Sequence, residues 1–365
     1  MRLVNHSLRG SYPEEELRQI LGVWRYSGRV LGSTDPEDIL QLHPDLRPDF
    51  QCILDHYATV GLPVASEVIW DDRLEVAWEY PNTPWDVFLY SDFHYEISPD
   101  WNRKEAVKLA NNKNDFMKIC CEFGVQTPFT QPFVYNGNKV SVPRAKMYPA
   151  FLKKAVSASG AGVFEVKSHE EVLRVLSEHG LGDWQIQEKV DGDVSFWNVQ
   201  YKYVNDRAVP LMATQQILSG FEHAGNKCTA QSPLCLGIGD KLADKLVHRG
   251  IKGIFAFDVA VSGDHAFVIE CNPRPNGCTY YSEVARKLRI KTWFGRNVKV
   301  NASRLSELNL DGITFNNGSG LVIVNWGTIS MKKLGVLFCG ETEEDAQQVY
   351  EEFQAKNSRD PVLSA

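Results

Sequence analysis

Asp258, Glu270 and Asn272 are the residues whose types and spacing point most directly to chemistry. From Phe255 to Gly277 the chain reads FAFDVAVSGDHAFVIECNPRPNG, two alternating runs about a polar turn. Phe255, Phe257, Val259 and Val261 share one side of the first run, and Ala256, Asp258 and Ala260 the other. In the second run Phe267, Ile269 and Cys271 lie opposite Val268, Glu270 and Asn272. A three-residue hairpin loop, Gly263-Asp264-His265, sets Asp258 across from Glu270 with Asn272 on the same face. Two carboxylates and an amide on a small-residue face are the hard oxygen donors that a Mg²⁺ carrying nucleotide phosphate takes. The plainer alternative is a solvated hairpin face, but such a face would normally carry Lys or Thr, and this one has neither.

Two lysines supply the matching positive charge. Tyr148 to Val166 predicts a strand carrying Lys153, a small-residue loop Ser157-Ala158-Ser159-Gly160-Ala161-Gly162, and a second strand. Backbone N–H groups of such a loop can wrap phosphate oxygens while the strand lysine adds a fixed charge. No Gly-Lys-Ser/Thr follows, so this is not a Walker loop, and an ordinary flexible hairpin is the alternative. Arg103 to Phe123 predicts one long amphipathic helix containing Asn112-Lys113-Asn114-Asp115 and closed by Gly124 and Pro128. Ser168-His169-Glu170-Glu171 opens a further helix with a capping box. Trp184 to Tyr203 predicts strand, a break at Asp191-Gly192, and strand. Backbone at the end of the first could meet an adenine edge, with an acid just beyond for ribose hydroxyls. Gln215 to Ala230, with its Gly, His223 and Lys227, has the content of a mobile cover or of a plain surface loop.

In this order the segments resemble the ATP-grasp superfamily over about residues 105 to 346, most strongly in Asp258…Glu270-x-Asn272 followed by Pro-Arg-Pro-Asn-Gly. The resemblance implies an α/β fold of α+β lobes that grip ATP, behind an N-terminal α/β pre-ATP-grasp domain. It implies that Lys113 and Lys153 touch the nucleotide phosphates, with Ser157, Ser159, Gly160 and Gly162 in the phosphate loop. Gln187, Glu188, Lys189 and Val190 match the hinge that binds adenine, and Asp258, Glu270 and Asn272 match the ligands of two Mg²⁺ ions, which Mn²⁺ could replace. Phe338 to Ala346 matches the closing strand and helix. The ribose acid falls nearest Asp193, although strict spacing puts Val194 there. Many carboxylate ligases of the family carry an arginine two residues before the first metal Asp, where this chain has Ala256.

The reaction the resemblance implies is ATP-dependent ligation of a small-molecule carboxylate to an amine through an acyl phosphate, on amino-acid-like substrates of the amino-acid or dipeptide ligase type. A nucleotide-binding module without ligase chemistry is the alternative outside catalysis, and a carboxylase or phosphotransferase the alternative within the superfamily. Arg274, two residues beyond Asn272 and held between Pro273 and Pro275, is the candidate donor to the substrate or the oxyanion, unless it pairs with an acid such as Glu283. His223 and Lys227 are the next candidates.

The elements that must position these groups are less legible. At 365 residues the chain exceeds one hydrophobic core. The expected division is an N-terminal lobe over 1–108, a central lobe over 109–190 and a C-terminal lobe over 191–365. In the first, Ser11 to Glu14 looks like a capped helix start, Asp49 to Val60 like a helix, and Val64 to Trp70 and Val87 to Tyr90 like strands. An aromatic cluster (Trp70, Trp78, Tyr80, Trp85, Phe88, Tyr90, Phe93, His94, Tyr95) reads as packing or as a pocket wall. A net charge of −7 excludes nucleic-acid binding by bulk electrostatics. No apolar run reaches the roughly 18 residues that span a bilayer, the first ten residues lack a signal-peptide core, and a cytoplasmic location is expected. The eight cysteines form no Cys-x-x-Cys pair and read as reduced thiols. The sequence leaves the oligomeric state open, a homodimer included.

Overall fold

The structure, a computed structural model, describes residues 1–11, 17–18, 22–157, 162–219, 222–228 and 233–358. It divides into two compact units. Unit 1 takes Met1–Asp100, Gly225–Thr229 and Pro275–Ala365, and unit 2 takes Trp101–Ala224 and Ala230–Arg274. The predicted helix start at Ser11 runs into residues 12–16, outside those described.

Unit 1 begins with four short parallel strands in the order Glu67–Ile69, Ile39–Gln41, Leu3–Asn5, Trp85–Val87. Both predicted strands of this region are shorter than the sequence suggests, and the second ends where the sequence would begin it. The apolar residues Phe88, Leu89 and Tyr90 beyond it are buried as a segment leaving the sheet, so burial and not strand pairing explains their character. The helix Arg47–Thr59 falls where expected. The aromatic cluster separates: Phe88, Tyr90 and His94 are buried, whereas Trp78 is 61% exposed. Further along unit 1, Gly225–Cys228, Thr292–Lys299, Lys333–Gly340 and Gly320–Asn325 pair antiparallel, and the helix Glu343–Asn357 closes this part with Thr342 as its cap.

Unit 2 holds two antiparallel layers. One runs Thr130–Tyr135, Gly182–Glu188, Ala150–Lys154, Val163–Val166, with Trp184, Ile186, Leu152 and Val172 in its core. The other runs His265–Asn272, Ile254–Ser262, Val194–Val204, Arg207–Ser219. The helix expected from Arg103 to Phe123 is instead two, Trp101–Asn111 and Lys113–Glu122. Asn112 breaks it: its backbone is extended (φ −85°, ψ 114°) and its side chain accepts from the N–H groups of Asn114 and Asp115. An Asn that caps competes with helix continuation, and periodicity alone hides this. The second helix packs against both the Gly182–Glu188 strand and the His265–Asn272 strand, with Phe116 stacked on Phe257 at 6.1 Å between ring centroids.

The helix after Ser168 forms with Ser168 as its cap, but the Glu171 carboxylate reaches back to the Lys167 N–H, so the expected box is not closed. The segment from Gln215 to Ala230, read as a cover or loop, is strand in its described residues, Arg207–Ser219 and Glu222–Cys228. Its polar residues belong to a ladder, since Gly225–Cys228 pair with Trp293–Arg296. All eight cysteines are free thiols, and no helix among the described residues is long and apolar enough to cross a membrane.

Candidate functional site

Asp258 pairs directly with Glu270, and Ala256 with Asn272. The loop that sets this register is not the expected one. Ser262 pairs with His265, leaving a two-residue turn of Gly263 and Asp264 in which Gly263 takes φ +54°. Such a turn alone would put Asp258 opposite Ile269. A bulge between Val268 and Glu270 absorbs one residue and restores the carboxylate pair. The bulge also turns Val268 to the other face, where it pairs with Val259 and both are fully buried, so Val268 does not share the Glu270 face as strict alternation implied.

Asp258 is held by amides. Its Oδ1 accepts from Asn198 Nδ2 and Gln216 Nε2, each at 2.7 Å, and its Oδ2 accepts from Asn272 Nδ2 at 3.0 Å. The sequence reading missed Asn198 and Gln216. The available signal was a polar residue on the inward side of an apolar strand: Asn198 pairs directly with Asp258, and Asn198 and Gln200 are both almost fully buried.

Glu270 turns toward the lysines. Lys113 Nζ lies 3.3 Å from Glu270 Oε2 and donates to Ser157 Oγ at 3.1 Å. Lys113 is the first residue of its helix, and its backbone N–H donates to the Ala155 carbonyl, so the helix start is tied to the end of the Lys153 strand. Lys153 Nζ donates to Gln187 Oε1 at 2.6 Å, and Gln187 Nε2 donates to Thr130 Oγ1 at 2.9 Å. Lys113 and Lys153 are each less than a tenth exposed.

The electrostatics follow from burial and these neighbours. Burial pushes the Lys153 ammonium down to about 8, with Glu270 opposing the shift and Lys113 adding to it. For Asp258, burial and the nearby Glu270 charge raise the carboxyl, and the amide donors pull the other way. For Glu270, burial acts upward but Lys113 and Lys153 outweigh it, so its carboxyl sits below the ordinary range. One carboxylate thus balances the lysines while the other carries the strain of the pair.

The remaining predicted residues are placed as follows. Gln187 is buried and committed to Lys153 and Thr130, Lys189 pairs with Glu165 at 2.7 Å, Glu188 and Val190 are half-buried, and Asp193 is exposed beyond Gly192. Gly162 takes φ +78° against the Lys154 side chain and its carbonyl accepts the Lys154 N–H. Ser159 and Gly160 lie outside the described residues. Arg274 is half-buried in the segment that follows the Glu270 strand. His223 is exposed at the end of unit 2, while Lys227 belongs to unit 1, 3.5 Å from Glu343 Oε2. The structure therefore brings together Lys113 with Ser157 and Glu270, Lys153 with Gln187, and Asp258 with Asn272, the two carboxylates opposed on paired strands and Glu270 acting electrostatically on both lysines, while Lys227 belongs to unit 1.

No family model matches the chain. A curated protein, the formate-dependent phosphoribosylglycinamide formyltransferase of Sulfurisphaera tokodaii, is 25% identical over 198 residues, 50% of this chain. The chain matches 49%, about half, of that relative's length. Among solved structures, biotin carboxylase from Campylobacter jejuni in an ATP-analogue complex aligns with a TM-score of 0.60 at 13% identity, over 88% of this chain and 85% of its own. N5-carboxyaminoimidazole synthetase from Staphylococcus aureus, complexed with ADP, aligns at 0.59 and 10% identity over 96% of each chain. L-amino acid ligase from Bacillus licheniformis aligns at 0.56 and 13% identity, over 88% and 91%. At these identities the likeness is one of fold.

Proposed function

Because the chain has the ATP-grasp fold, we propose that it is an ATP-dependent, ADP-forming ligase joining a small carboxylic acid to an amine through an acyl phosphate. The observation that carries this reading is the cluster within unit 2 of two buried lysines, two opposed carboxylates and Asn272, with Glu270 ion-paired to Lys113 and acting electrostatically on Lys153. In it, Lys113 and Lys153 neutralise the nucleotide phosphates, and Gln187 holds the Lys153 side chain in place. The hinge from Glu188 to Val190 receives adenine, Asp193 is the nearest acid for the ribose, and Ser157 with Gly162 flank the phosphate loop.

Asp258, Glu270 and Asn272 fit Mg²⁺ by the chemistry of their donors, since all three offer hard oxygens on paired strands. Bound there, two Mg²⁺ ions would offset the charge that moves with the γ-phosphoryl group. Asn198 and Gln216 fix the Asp258 carboxylate so that it need not reorient when charge develops. Arg274 is the chain's candidate for meeting the acid or the oxyanion that forms when the amine attacks.

The curated relative is formate-dependent by name, and two of the solved neighbours are a carboxylase and a carboxyaminoimidazole synthetase, so a one-carbon acid is the second reading of the acid site. A matrix of acids and amines with ATP and Mg²⁺, read by ADP release and product mass, tests both. ADP release that needs acid and amine together supports ligation. Release with bicarbonate alone supports the carboxylase reading, and nucleotide binding with no acid-dependent turnover rejects the proposal.

A further inference from the structure

Gln187 is the first residue of the expected adenine hinge, yet its amide is spent inside unit 2. Its Oε1 accepts from Lys153 Nζ at 2.6 Å, and its Nε2 donates to Thr130 Oγ1 at 2.9 Å and lies 3.8 Å from Met117 Sδ, within reach of a sulfur acceptor. Gln187 is 1% exposed. The placement follows from the ladder. Thr130 and Phe151 pair directly with Gln187 from the strands on either side, and Lys153 lies two residues along from Phe151, so all four side chains share one face. Glu188, the next residue, gives its N–H to the Phe129 carbonyl at 2.9 Å, which ties the backbone beside Thr130 to the start of the hinge.

Thr130 decides which way this amide points. Its hydroxyl carries one proton, and that proton goes to the Pro128 carbonyl at 2.9 Å. Toward Gln187 the hydroxyl can therefore only accept, so the NH₂ end faces it and the oxygen faces Lys153. Reversed, the amide would set its NH₂ against an ammonium, and its oxygen against a thioether and a hydroxyl with no proton to spare. The orientation matters because the lysine needs an acceptor. Lys153 is 7% exposed, its Nζ lies 5.5 Å from the Phe151 ring centre, and burial pushes the ammonium toward its neutral form, with Glu270 opposing that shift and Lys113 adding to it. An ammonium on a flexible four-carbon stem is otherwise loosely placed, and a fixed amide oxygen both favours the charged form and aims the other N–H groups.

We propose that Thr130 is a positioning residue for the nucleotide phosphates: by fixing the Gln187 amide it holds the Lys153 ammonium where phosphate meets it, so that Gln187 serves the phosphates and not the adenine. Thr130 touches no part of the nucleotide and acts only through Gln187 and Lys153. The proposal rests on the ATP reading of the site and concerns residues of unit 2 alone. It leaves the base to Glu188, Lys189 and Val190.

The test is calorimetric titration of the full chain with ATP and with inosine triphosphate, each with Mg²⁺ and without acid or amine. Wild type, Thr130→Val, Thr130→Ser, Lys153→Met and the double variant Thr130→Val with Lys153→Met are compared. Thr130→Val keeps the shape and loses the hydroxyl, and it should weaken both nucleotides by the same factor, about threefold to tenfold. Thr130→Ser restores the hydroxyl and should bind like wild type. In the Lys153→Met background the valine should cost nothing further, because the group through which it acts is gone. Thr130→Ala gives the same comparison if the valine variant does not fold. Wild-type affinity in Thr130→Val overturns the proposal, as does a loss that persists in the Lys153→Met background, which would make Thr130 merely structural. A loss confined to ATP also overturns it and returns Gln187 to the base. If Lys153→Met itself binds ATP as wild type does, the ATP reading falls and the proposal with it, a result distinct from failure at Thr130 alone.

Discussion

Asp258 faces Glu270 because two irregularities cancel: a hairpin turn one residue shorter than a simple ladder would need, and a bulge at Ile269 that takes up the difference. The pair is therefore a property of both strand and turn. Its carboxylates also have unequal surroundings, amides around Asp258 and ammonium groups near Glu270.

Glu270→Gln tests the division of labour. It removes a charge at the presumed phosphoryl centre with little change in volume, strips Lys113 of its ion-pair partner at 3.3 Å, and relieves the charge that raises the Asp258 carboxyl. The last two effects oppose each other in stability. Mg²⁺-dependent ADP formation should fall at least about 100-fold, equivalent to about 2.7 kcal/mol at the barrier, with a thermal midpoint moved by no more than roughly 5 °C. Steady-state ADP assay and calorimetric melting read the two, and near-normal turnover would remove Glu270 from the metal site.

Lys153 gives the second prediction. Its charge-assisted contacts to phosphate should contribute on the order of 1.5–3 kcal/mol, so Lys153→Met weakens ATP binding about tenfold or more. Burial also sets a pH limb. The ammonium titrates near 8 in the unliganded protein, only the protonated form attracts phosphate, and ATP affinity should therefore fall as the pH rises through about 8. Calorimetry between pH 7 and 9 should show that limb in wild type and lose it in Lys153→Met. A flat profile in wild type would mean that Lys153 does not meet the nucleotide.

Much of this group was legible because strand alternation is a strong constraint: Asp258, Glu270 and Asn272 could be assigned to one face from spacing, whereas Lys113, Lys153 and Gln187 were singled out by the order of their segments and the resemblance it carries. Where the reading failed, the cause was local hydrogen bonding that periodicity does not encode. The Asn112 cap split one apparent helix into two and placed Lys113 at a helix start. The bulge at Ile269 inverted Val268, and ladder pairing at Gly225–Cys228 made strand of a segment whose polar content suggested a cover. Asn198 and Gln216 were hidden for a different reason. Their value lies in which strands become neighbours, and that is settled by the topology of the second layer of unit 2.

His56 predicts an acid-side loss of stability in unit 1. It is buried, and its Nε2 accepts the Ile323 N–H at 3.0 Å, which requires a neutral ring. Burial pushes its pKa from 6.5 to about 4. The unfolded chain thus takes up this proton before the folded one does. The contribution is fully present above about pH 6.5 and is lost as the pH falls toward 4, with a slope of up to about 1.4 kcal/mol per pH unit from this group. In His56→Gln the amide oxygen can still accept from Ile323, but nothing titrates. Denaturant unfolding from pH 7 to 4 should show a shallower decline in the variant, and identical slopes would count against the assignment.

Arg274 carries the last prediction. It follows the Glu270 strand within Pro273-Arg274-Pro275, and the position two residues before Asp258 is occupied by fully buried Ala256, so the fork must come from another part of the chain if the reaction uses one. Pro on either side fixes backbone torsions and limits where the side chain can reach. When an amine attacks an acyl phosphate, negative charge gathers on the former carbonyl oxygen, and a positioned donor there is worth roughly 3–4 kcal/mol. The same fork could instead anchor the acid's carboxylate in two parallel hydrogen bonds. Arg274→Lys keeps the charge and loses the fork. A donor to the oxyanion predicts a fall in kcat of about 100-fold with KM for the acid little changed, whereas an anchor predicts that KM for the acid rises first. In both cases ATP affinity and thermal midpoint should stay close to wild type. Normal ligation by Arg274→Lys, or activity lost only in step with stability, would make Arg274 structural and return the search to His223, which the structure leaves exposed at the end of unit 2.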